Sequence, residues 1–154
     1  MQTIEILKNQ HSMKKSIILY LLLTLATAAH AQHDKDTSAI IQVSIDLPEL
    51  QQFFSDNADG TKKPVYIMQR DLELPAQLQV RKFGQSVRLV SRREIVNHMI
   101  DCYFMFNQLE VDGGQAGVSY FFVHGTQDEP VYLDIRLTLV KQGDVWEIIN
   151  KSIQ

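Results

Sequence analysis

The chain has only one cysteine, Cys102, among its 154 residues, so it cannot form an internal disulfide. Cys102 lies in the segment IDCYFMF, among large apolar residues. No nearby motif supplies the base that an activated thiol needs. We therefore interpret Cys102 as a buried thiol that packs as a small apolar side chain, rather than as a nucleophile.

Basic residues are also scarce. The chain carries 15 lysines and arginines against 18 acidic residues, for a net charge of −3, and the basic residues form no cluster. Nucleic acids and anionic membranes are held mainly by neutralising their phosphates. The composition therefore makes the chain a poor candidate for binding nucleic acid or an anionic membrane, and we predict no nucleic-acid partner. The predicted partner is an unknown protein or a small apolar ligand, on the apolar sheet face described below.

Motifs for cofactors and metals are missing as well. The sequence has no glycine-rich phosphate loop and no nucleotide fingerprint. His98 and Cys102 have a spacing that two metal ligands use, but a third and a fourth ligand have no recognisable place. Asp112-Gly113 lacks the further oxygen ligands of a calcium loop. We predict no cofactor and no metal.

The longest apolar run lies near the start, in MKKSIILYLLLTLATAAHAQ (Met13 to Gln32). Two lysines precede an apolar segment, Ile17 to Leu25, and a small-x-small end follows at Ala29 and Ala31, as in secretory signals. A membrane-spanning helix needs about 20 predominantly apolar residues, and this run ends sooner. The pattern predicts cleavage after Ala31, a periplasmic or secreted protein, and no membrane span afterwards.

Residues 1–12 place Glu5 and a polar run ahead of that signal. Our hypothesis is that Met13 is the true start and that residues 1–12 are an upstream misreading. The signal peptide is then residues 13–31, and residues 32–154 form a single α+β domain with 12 basic and 17 acidic residues. A chain of that length buries about two-thirds of its unfolded surface, enough for a core without disulfides.

The front half of this domain is predicted to consist of short elements. Ser91-Arg92-Arg93-Glu94 is a capping box, which opens a helix that ends near Ile100. The other predicted elements are a frayed terminus at 32–38, a strand at 40–45, a short helix after Pro48, and strands at 65–68 and 77–90 with a turn near Gly84.

From Tyr103 onward the pattern has a period of two, which predicts an antiparallel meander of about four strands. A turn at Gly113-Gly114 places Leu109 opposite Val118 and Met105 opposite Phe122, and a slip of one residue would mix the faces. A second turn at Gln142-Gly143 places Trp146, as a core residue, opposite Leu139. It also places Asp134 opposite Lys151. We predict that the helices and strands of the front half pack on one face of this meander.

The aromatic end of the meander is apolar on both faces, at Tyr103–Phe106 and Tyr120–Val123. A second apolar face needs a cover. The preceding helices provide one in the first interpretation, and a pocket or a partner surface explains the face in the second. The predicted ligand- or partner-binding residues at this end are Phe104, Phe106, Tyr120 and Phe121.

The meander that ends in LVKQGDVWEII, preceded by helices, resembles the C-terminal half of the NTF2-like and cystatin-like α+β superfamily. The whole arrangement is also similar to small secreted proteins of unassigned function from Gram-negative bacteria. In NTF2-like enzymes, an acid–base residue faces the concave side of the sheet, with a tyrosine as oxyanion donor. The polar groups available here, Tyr103, Tyr120, His124 and Asp134, match no motif at a defined spacing, so none receives a catalytic role.

Two functions of different class remain. The favoured one is a secreted or periplasmic, non-catalytic binding or accessory module that uses the apolar sheet face. The alternative is a small NTF2-like enzyme with a pocket on the same face. His98 and Asp101 share a predicted helix face, but no nucleophile is tied to them, so we interpret them as a surface pair.

Overall fold

A computed structural model describes residues 32–154. Residues 36–154 form one compact unit. The predicted start at Met13 and the predicted signal peptide at residues 13–31 lie outside the described residues. Within residues 32–154, no helix combines the length and the apolar character needed to cross a membrane.

The described chain opens with helix α1, at residues 32–45, followed by a 3-10 helix at Pro48–Phe53. A second α-helix, α2, spans Arg92–Asn97. The strands are β1 (Tyr66–Met68), β2 (Arg81–Lys82), β3 (Gln85–Ser86), β4 (Arg88–Val90), β5 (Cys102–Asp112), β6 (Gln115–Gly125), β7 (Pro130–Gln142) and β8 (Val145–Ile153).

Helix α1 corrects two predictions, because residues 32–38 are not frayed and residues 40–45 are not a strand. The buried residues Ile40, Ile41, Ser44 and Ile45 recur at one helical face rather than alternating. The Ser44 hydroxyl donates to the Ile40 carbonyl at 2.8 Å, so its burial leaves no unmet hydrogen bond. The richness in isoleucine and valine had favoured a strand.

The six-stranded sheet has the order β4-β1-β5-β6-β7-β8. Strands β5 to β8 pair antiparallel in sequence order, whereas β1 pairs parallel with both β4 and β5. The predicted α+β class is confirmed. The predicted all-antiparallel sheet is incomplete, because the parallel pairs of β1 make the sheet mixed.

Helix α2 owes its position to these parallel strands. Strands β4 and β5 flank β1 and run parallel to it, so the chain between them must cross β1 on one face of the sheet. Helix α2 lies in this crossover. Its Ile95 packs with Met68 and Met105, whereas the isoleucines of α1 pack in the cluster of Phe104 on the other side of the sheet. Helix α2 thus covers the face opposite α1, and the prediction that both helices cover the same face is wrong.

The sheet has two faces, a core face and an open face, and a different helix packs on each. The core face carries Phe104, Tyr120 and Trp146 and packs against α1 and the 3-10 helix. The open face carries Met105 and Phe121 and packs against α2. Each face thus has its own apolar cluster, and the core-face cluster is by far the larger.

A β-bulge in β5 decides which aromatic residues lie on which face. The predicted pairs near the Gly113 turn are confirmed, with Leu109 opposite Val118. Beyond the bulge between Phe106 and Gln108, Met105 lies opposite Phe121, so the prediction of Phe122 is wrong. Apolar residues occupy odd positions on one side of the bulge and even positions on the other. One extra residue, Asn107, keeps both sets on the core face.

The last hairpin differs from the prediction by a similar shift. Its turn places Gln142 opposite Val145, so Trp146 lies opposite Lys141. A bulge between Thr138 and Leu139 then shifts the register, and beyond it Lys151 lies opposite Leu137. The predicted Trp146–Leu139 and Asp134–Lys151 pairs are wrong.

The prediction that Trp146 is a core residue is confirmed, because its side chain is buried. The Asp36 carboxylate accepts a hydrogen bond from the Trp146 indole at 3.2 Å and from the Lys141 ammonium at 2.6 Å. These contacts join α1 to the far end of the sheet.

Candidate binding cavity

The structure separates the four predicted binding residues. Phe104, Phe106 and Tyr120 are buried on the core face, whereas Phe121 is partly buried on the open face. The Tyr120 hydroxyl donates to the Ser44 carbonyl of α1 at 2.6 Å, and burial raises its pKa. Three of the four residues therefore pack against α1 rather than form an accessible surface.

The 3-10 helix and the residue that follows it complete the cover of the core face with two aromatic rings. The Phe53 ring stacks on the His124 ring, with centroids 4.2 Å apart. The Phe54 ring lies 5.5 Å from the Phe122 ring. The buried ammonium of Lys82 lies 5.4 Å from the centre of the Phe54 ring and donates to the Ile45 carbonyl. Aromatic packing thus fills the aromatic end of this face.

The open face has a thinner cover, because α2 is only six residues long. A cavity of about 510 Å³ remains on this face. It is lined by α2, by β1, β5 and β6, and by the segments that follow them: Met68, Arg70, Arg92, Ile95, Val96, Ile100, Asp101, Tyr103, Met105, Val123, His124, Gly125, Thr126, Gln127, Pro130 and Tyr132.

Apolar side chains form the floor of the cavity. Met68, Met105 and Val123 come from three adjacent strands, and all three side chains are buried. Ile95 from α2 and Ile100 pack with the two methionines in the open-face cluster. Methionine fills irregular apolar gaps and adapts to different shapes. The floor therefore suits an apolar ligand.

The helix that forms one wall is stabilised at its start by the predicted capping box, which is confirmed. The Ser91 hydroxyl accepts from the Glu94 N–H at 3.3 Å, and the Glu94 carboxylate accepts from the Ser91 N–H at 2.8 Å. The Ser91 hydroxyl also donates to the Glu94 carboxylate at 2.7 Å, and the two hydrogen bonds that this carboxylate accepts from Ser91 lower the pKa of Glu94 below its usual value. The N-terminus of α2 is thus satisfied by its own residues.

The loop between β6 and β7 forms the opposite wall and is tied to α2. The Gln127 side-chain amide donates to the carbonyls of Ile95 at 3.0 Å and of Val96 at 3.2 Å. The loop begins at Gly125, whose φ is +105°. A Cβ at Gly125 would lie 2.7 Å from the Glu129 carbonyl oxygen, so only glycine fits there.

Two arginines give the cavity a positive rim. The Arg70 guanidinium lies 3.8 Å from the Met105 sulfur on the floor and 3.6 Å from the exposed carboxylate of Asp71. Among residues 32–154, no carboxylate forms an ion pair with Arg92. Asp101 is the one carboxylate among the described lining residues, and the Lys63 ammonium lies 2.9 Å from it.

Tyrosines supply further polar groups at the rim. Burial raises the pKa of Tyr103, the neighbouring Tyr132 raises it further, and Arg92 opposes both effects. Tyr103 is therefore a protonated phenol at neutral pH and can donate a hydrogen bond. The phenol and guanidinium groups together make the rim rich in donors.

A smaller cavity of about 200 Å³ brings together three residues weighed from the sequence: His98, Asp101 and Cys102. Burial and the neighbouring Asp101 raise the pKa of the Cys102 thiol to about 12, so the thiol stays protonated and unreactive. Within the described part of the chain, no group of three or more histidine, cysteine or acidic residues has an arrangement that could hold a metal ion.

No protein-family model matches this chain, and neither a curated protein nor a solved structure matches it. Function is therefore inferred from the open face. Sequence reasoning missed Arg70 and Arg92 as site residues, because both precede the meander and neither belongs to the apolar pattern that indicated the site. It also assigned Met105 to the face opposite the binding surface. The one available signal was the change from odd to even apolar positions around Asn107.

Proposed function

We propose that this protein is an exported, non-catalytic binding module that holds a small apolar ligand in the open-face cavity. The observation that carries the proposal is a cavity of about 510 Å³ with a methionine-rich apolar floor. Ligand sites are typically concave, mostly apolar, and about 300–1,000 Å³ in volume, with a few polar groups at defined places. This cavity has a volume in that range, an apolar floor and polar groups at its rim.

The ionisable groups around the cavity support binding over catalysis. A general base must carry its proton-accepting group within reach of the ligand. The Asp101 carboxylate is paired with Lys63, Tyr103 is protonated, and the His124 ring stacks on Phe53 on the core face. The described lining residues therefore offer hydrogen-bond donors and positive charge rather than an acid–base pair.

We also propose that the chain is related to NTF2-like and cystatin-like proteins, and that it is exported. Helices packed on an antiparallel β5–β8 meander support the resemblance, and the signal-like pattern at residues 13–31 supports export. Intact mass of the exported protein tests the second part. A protein that begins at Gln32 agrees with it, and retention of Ile17 to Leu25 contradicts it.

A small NTF2-like enzyme remains the second candidate, because one cluster favours it. Tyr103, Tyr132 and Arg92 line the same cavity, and both Tyr132 and Arg92 act electrostatically on the Tyr103 phenol. Such a cluster can stabilise a developing oxyanion. Among the described residues that line the cavity, the one carboxylate is Asp101, which is paired with Lys63, so this candidate has no unpaired carboxylate there to act as a base.

The cavity can be tested by filling it. The neutral dye N-phenyl-1-naphthylamine should bind the purified protein with enhanced fluorescence, and Val123→Trp should abolish this binding because the larger ring occupies the floor. Val145→Trp is the matched control, since Val145 is exposed at the far end of the sheet. Binding that survives Val123→Trp in a folded protein would place the dye elsewhere and contradict the proposal.

A further inference from the structure

We propose that the ligand of the open-face cavity is a small carboxylate, whose apolar body lies on the methionine floor and whose carboxylate binds Arg70 and Arg92. This inference rests on the proposed binding function and adds the chemical class of the ligand. It would make the protein a carrier or sensor of amphipathic acids rather than of neutral apolar compounds.

The position of Arg70 is the first support. Its guanidinium contacts the Met105 sulfur at 3.8 Å, so the positive charge lies at the edge of the apolar floor. Its ion pair with Asp71 is long, at 3.6 Å, and the Asp71 side chain is 93% exposed. Exposed pairs of this kind contribute little, so a ligand carboxylate can displace Asp71 at small cost.

The second support is Arg92, which lines the same cavity from α2. Tyr103 and Tyr132 line the same cavity, and the Arg92 charge lowers the pKa of Tyr103 against the opposite effects of burial and of Tyr132. A carboxylate at this rim would therefore meet a guanidinium and phenol donors together. Guanidinium groups bind carboxylates through two parallel hydrogen bonds, which are stronger than hydrogen bonds between neutral groups.

The charge balance of the chain is the third support. The protein as a whole is acidic, with a net charge of −3. The described lining of the cavity has the opposite charge balance. It contains two arginines and one carboxylate, Asp101, and that carboxylate is paired with Lys63. An anion is the ligand charge that this local excess favours.

Two dyes with the same aromatic body test the inference on the purified protein. One is 1-anilinonaphthalene-8-sulfonate, which is an anion, and the other is the neutral N-phenyl-1-naphthylamine. The double variant Arg70→Gln with Arg92→Gln should weaken binding of the anionic dye about tenfold or more, because hydrogen bonds to charged groups are lost. Binding of the neutral dye should stay unchanged.

The matched control is the double variant Arg93→Gln with Arg136→Gln. It makes the same change of charge, but neither residue lines the cavity. It should leave the affinity for both dyes unchanged. A second measurement addresses the carboxylate itself: decanoate should displace the anionic dye from the wild-type protein, whereas decan-1-ol should do so at least about tenfold less well.

The outcomes separate the inference from the proposed function. If both dyes bind, Val123→Trp removes both, and the arginine variant changes neither, then the cavity binds apolar ligands and the assignment of an acid is overturned. Failure of decanoate to displace the dye also overturns it. If neither dye binds the wild-type protein, the binding function itself is overturned. Equal weakening by the two double variants would show a general charge effect and overturn the role of Arg70 and Arg92.

Discussion

The two faces of one sheet are covered to different depths. On the core face, α1 and the 3-10 helix bring rings and isoleucines against Phe104, Tyr120 and Phe122. On the open face, the six residues of α2 leave a cavity beside Met105. A sheet that is apolar on both sides needs two covers, and a short second cover leaves room for a ligand.

This difference separates the residues that stabilise the fold from those available for binding. Large rings anchor the core face, and their loss would create voids that the packed helices cannot refill. The open face holds adaptable methionines next to space that already exists. We therefore expect substitutions on the core face to reduce stability and substitutions on the open face to change binding.

Trp146→Ala should have the largest effect, lowering the free energy of unfolding by about 3–5 kcal/mol. The substitution removes a buried indole and its hydrogen bond to Asp36 at 3.2 Å. Denaturant melts would measure the loss. Val145→Ala is the neighbouring control, because Val145 is 60% exposed and should cost less than about 0.5 kcal/mol. A loss below about 1 kcal/mol for Trp146→Ala would contradict the core-face assignment.

Phe104 and Met105 give the most direct comparison, because they are adjacent in β5 and lie on opposite faces. Phe104→Ala should cost about 3–5 kcal/mol, and Met105→Ala about 2 kcal/mol, because the cavity is already present beside Met105. Only Met105→Ala should change dye binding. Equal costs would contradict the difference in cover between the two faces. Dye binding that depends on Phe104 alone would mean that Phe104 rather than Met105 lies on the open face.

The reactivity of the Cys102 thiol measures how far solvent is excluded from the aromatic end of β5. Its thiol has a pKa of about 12 in the folded protein, against about 8.5 in an unfolded chain. At pH 9, alkylation by iodoacetamide should therefore be roughly a thousandfold slower in the native protein than in guanidinium chloride, because only the thiolate reacts and its fraction falls by about that factor. Equal rates in the two states would mean that Cys102 is open to solvent.

The same shift has a consequence for the pH dependence of stability. The folded state holds the Cys102 proton more tightly than the unfolded state, so this contribution is fully present below about pH 8.5. It is lost as the pH rises from there towards about 12. The variant Cys102→Ser should flatten this part of the stability profile.

Ser91→Ala should have the smallest effect, at about 1 kcal/mol, because it removes one side of the capping box of α2. Because α2 forms a wall of the cavity, the substitution should also weaken dye binding. Hydrogen exchange would show faster exchange in residues 92–98 and unchanged exchange in residues 36–45. Faster exchange in both segments would show that the two covers are not independent.

Local signals in the sequence predicted part of this structure correctly. The glycine turn fixed the pairs nearest to it, such as Leu109 with Val118, because turn geometry sets register over a short distance. Ser91 and Glu94 predicted the start of α2 correctly, because the capping box needs only contacts between residues three apart. The burial of Trp146 followed from its alternating strand.

The sequence-based predictions were wrong or incomplete where contacts between distant parts of the chain determine the local structure. Residues 40–45 are rich in β-branched side chains, and packing against the sheet makes them helical. Strand β1 is three residues long and gains its parallel partners only in the folded sheet. The cavity combines Arg70 with Met105, which are 35 residues apart, so no local pattern could predict the site.

The bulge at Asn107 has a consequence in genetic terms. Loss of the single codon for Asn107 would leave every cross-strand pair of the β5–β6 hairpin as it is, since Phe106 would still lie opposite Tyr120 and Gln108 opposite Ser119. Loss of the codon for Met105, two positions earlier, would shift one part of the strand by one residue. Either the Phe104 side chain would then leave the core face, or the Asn107 side chain would enter it. In-frame deletions in this strand should therefore be tolerated at one codon and damaging two codons away.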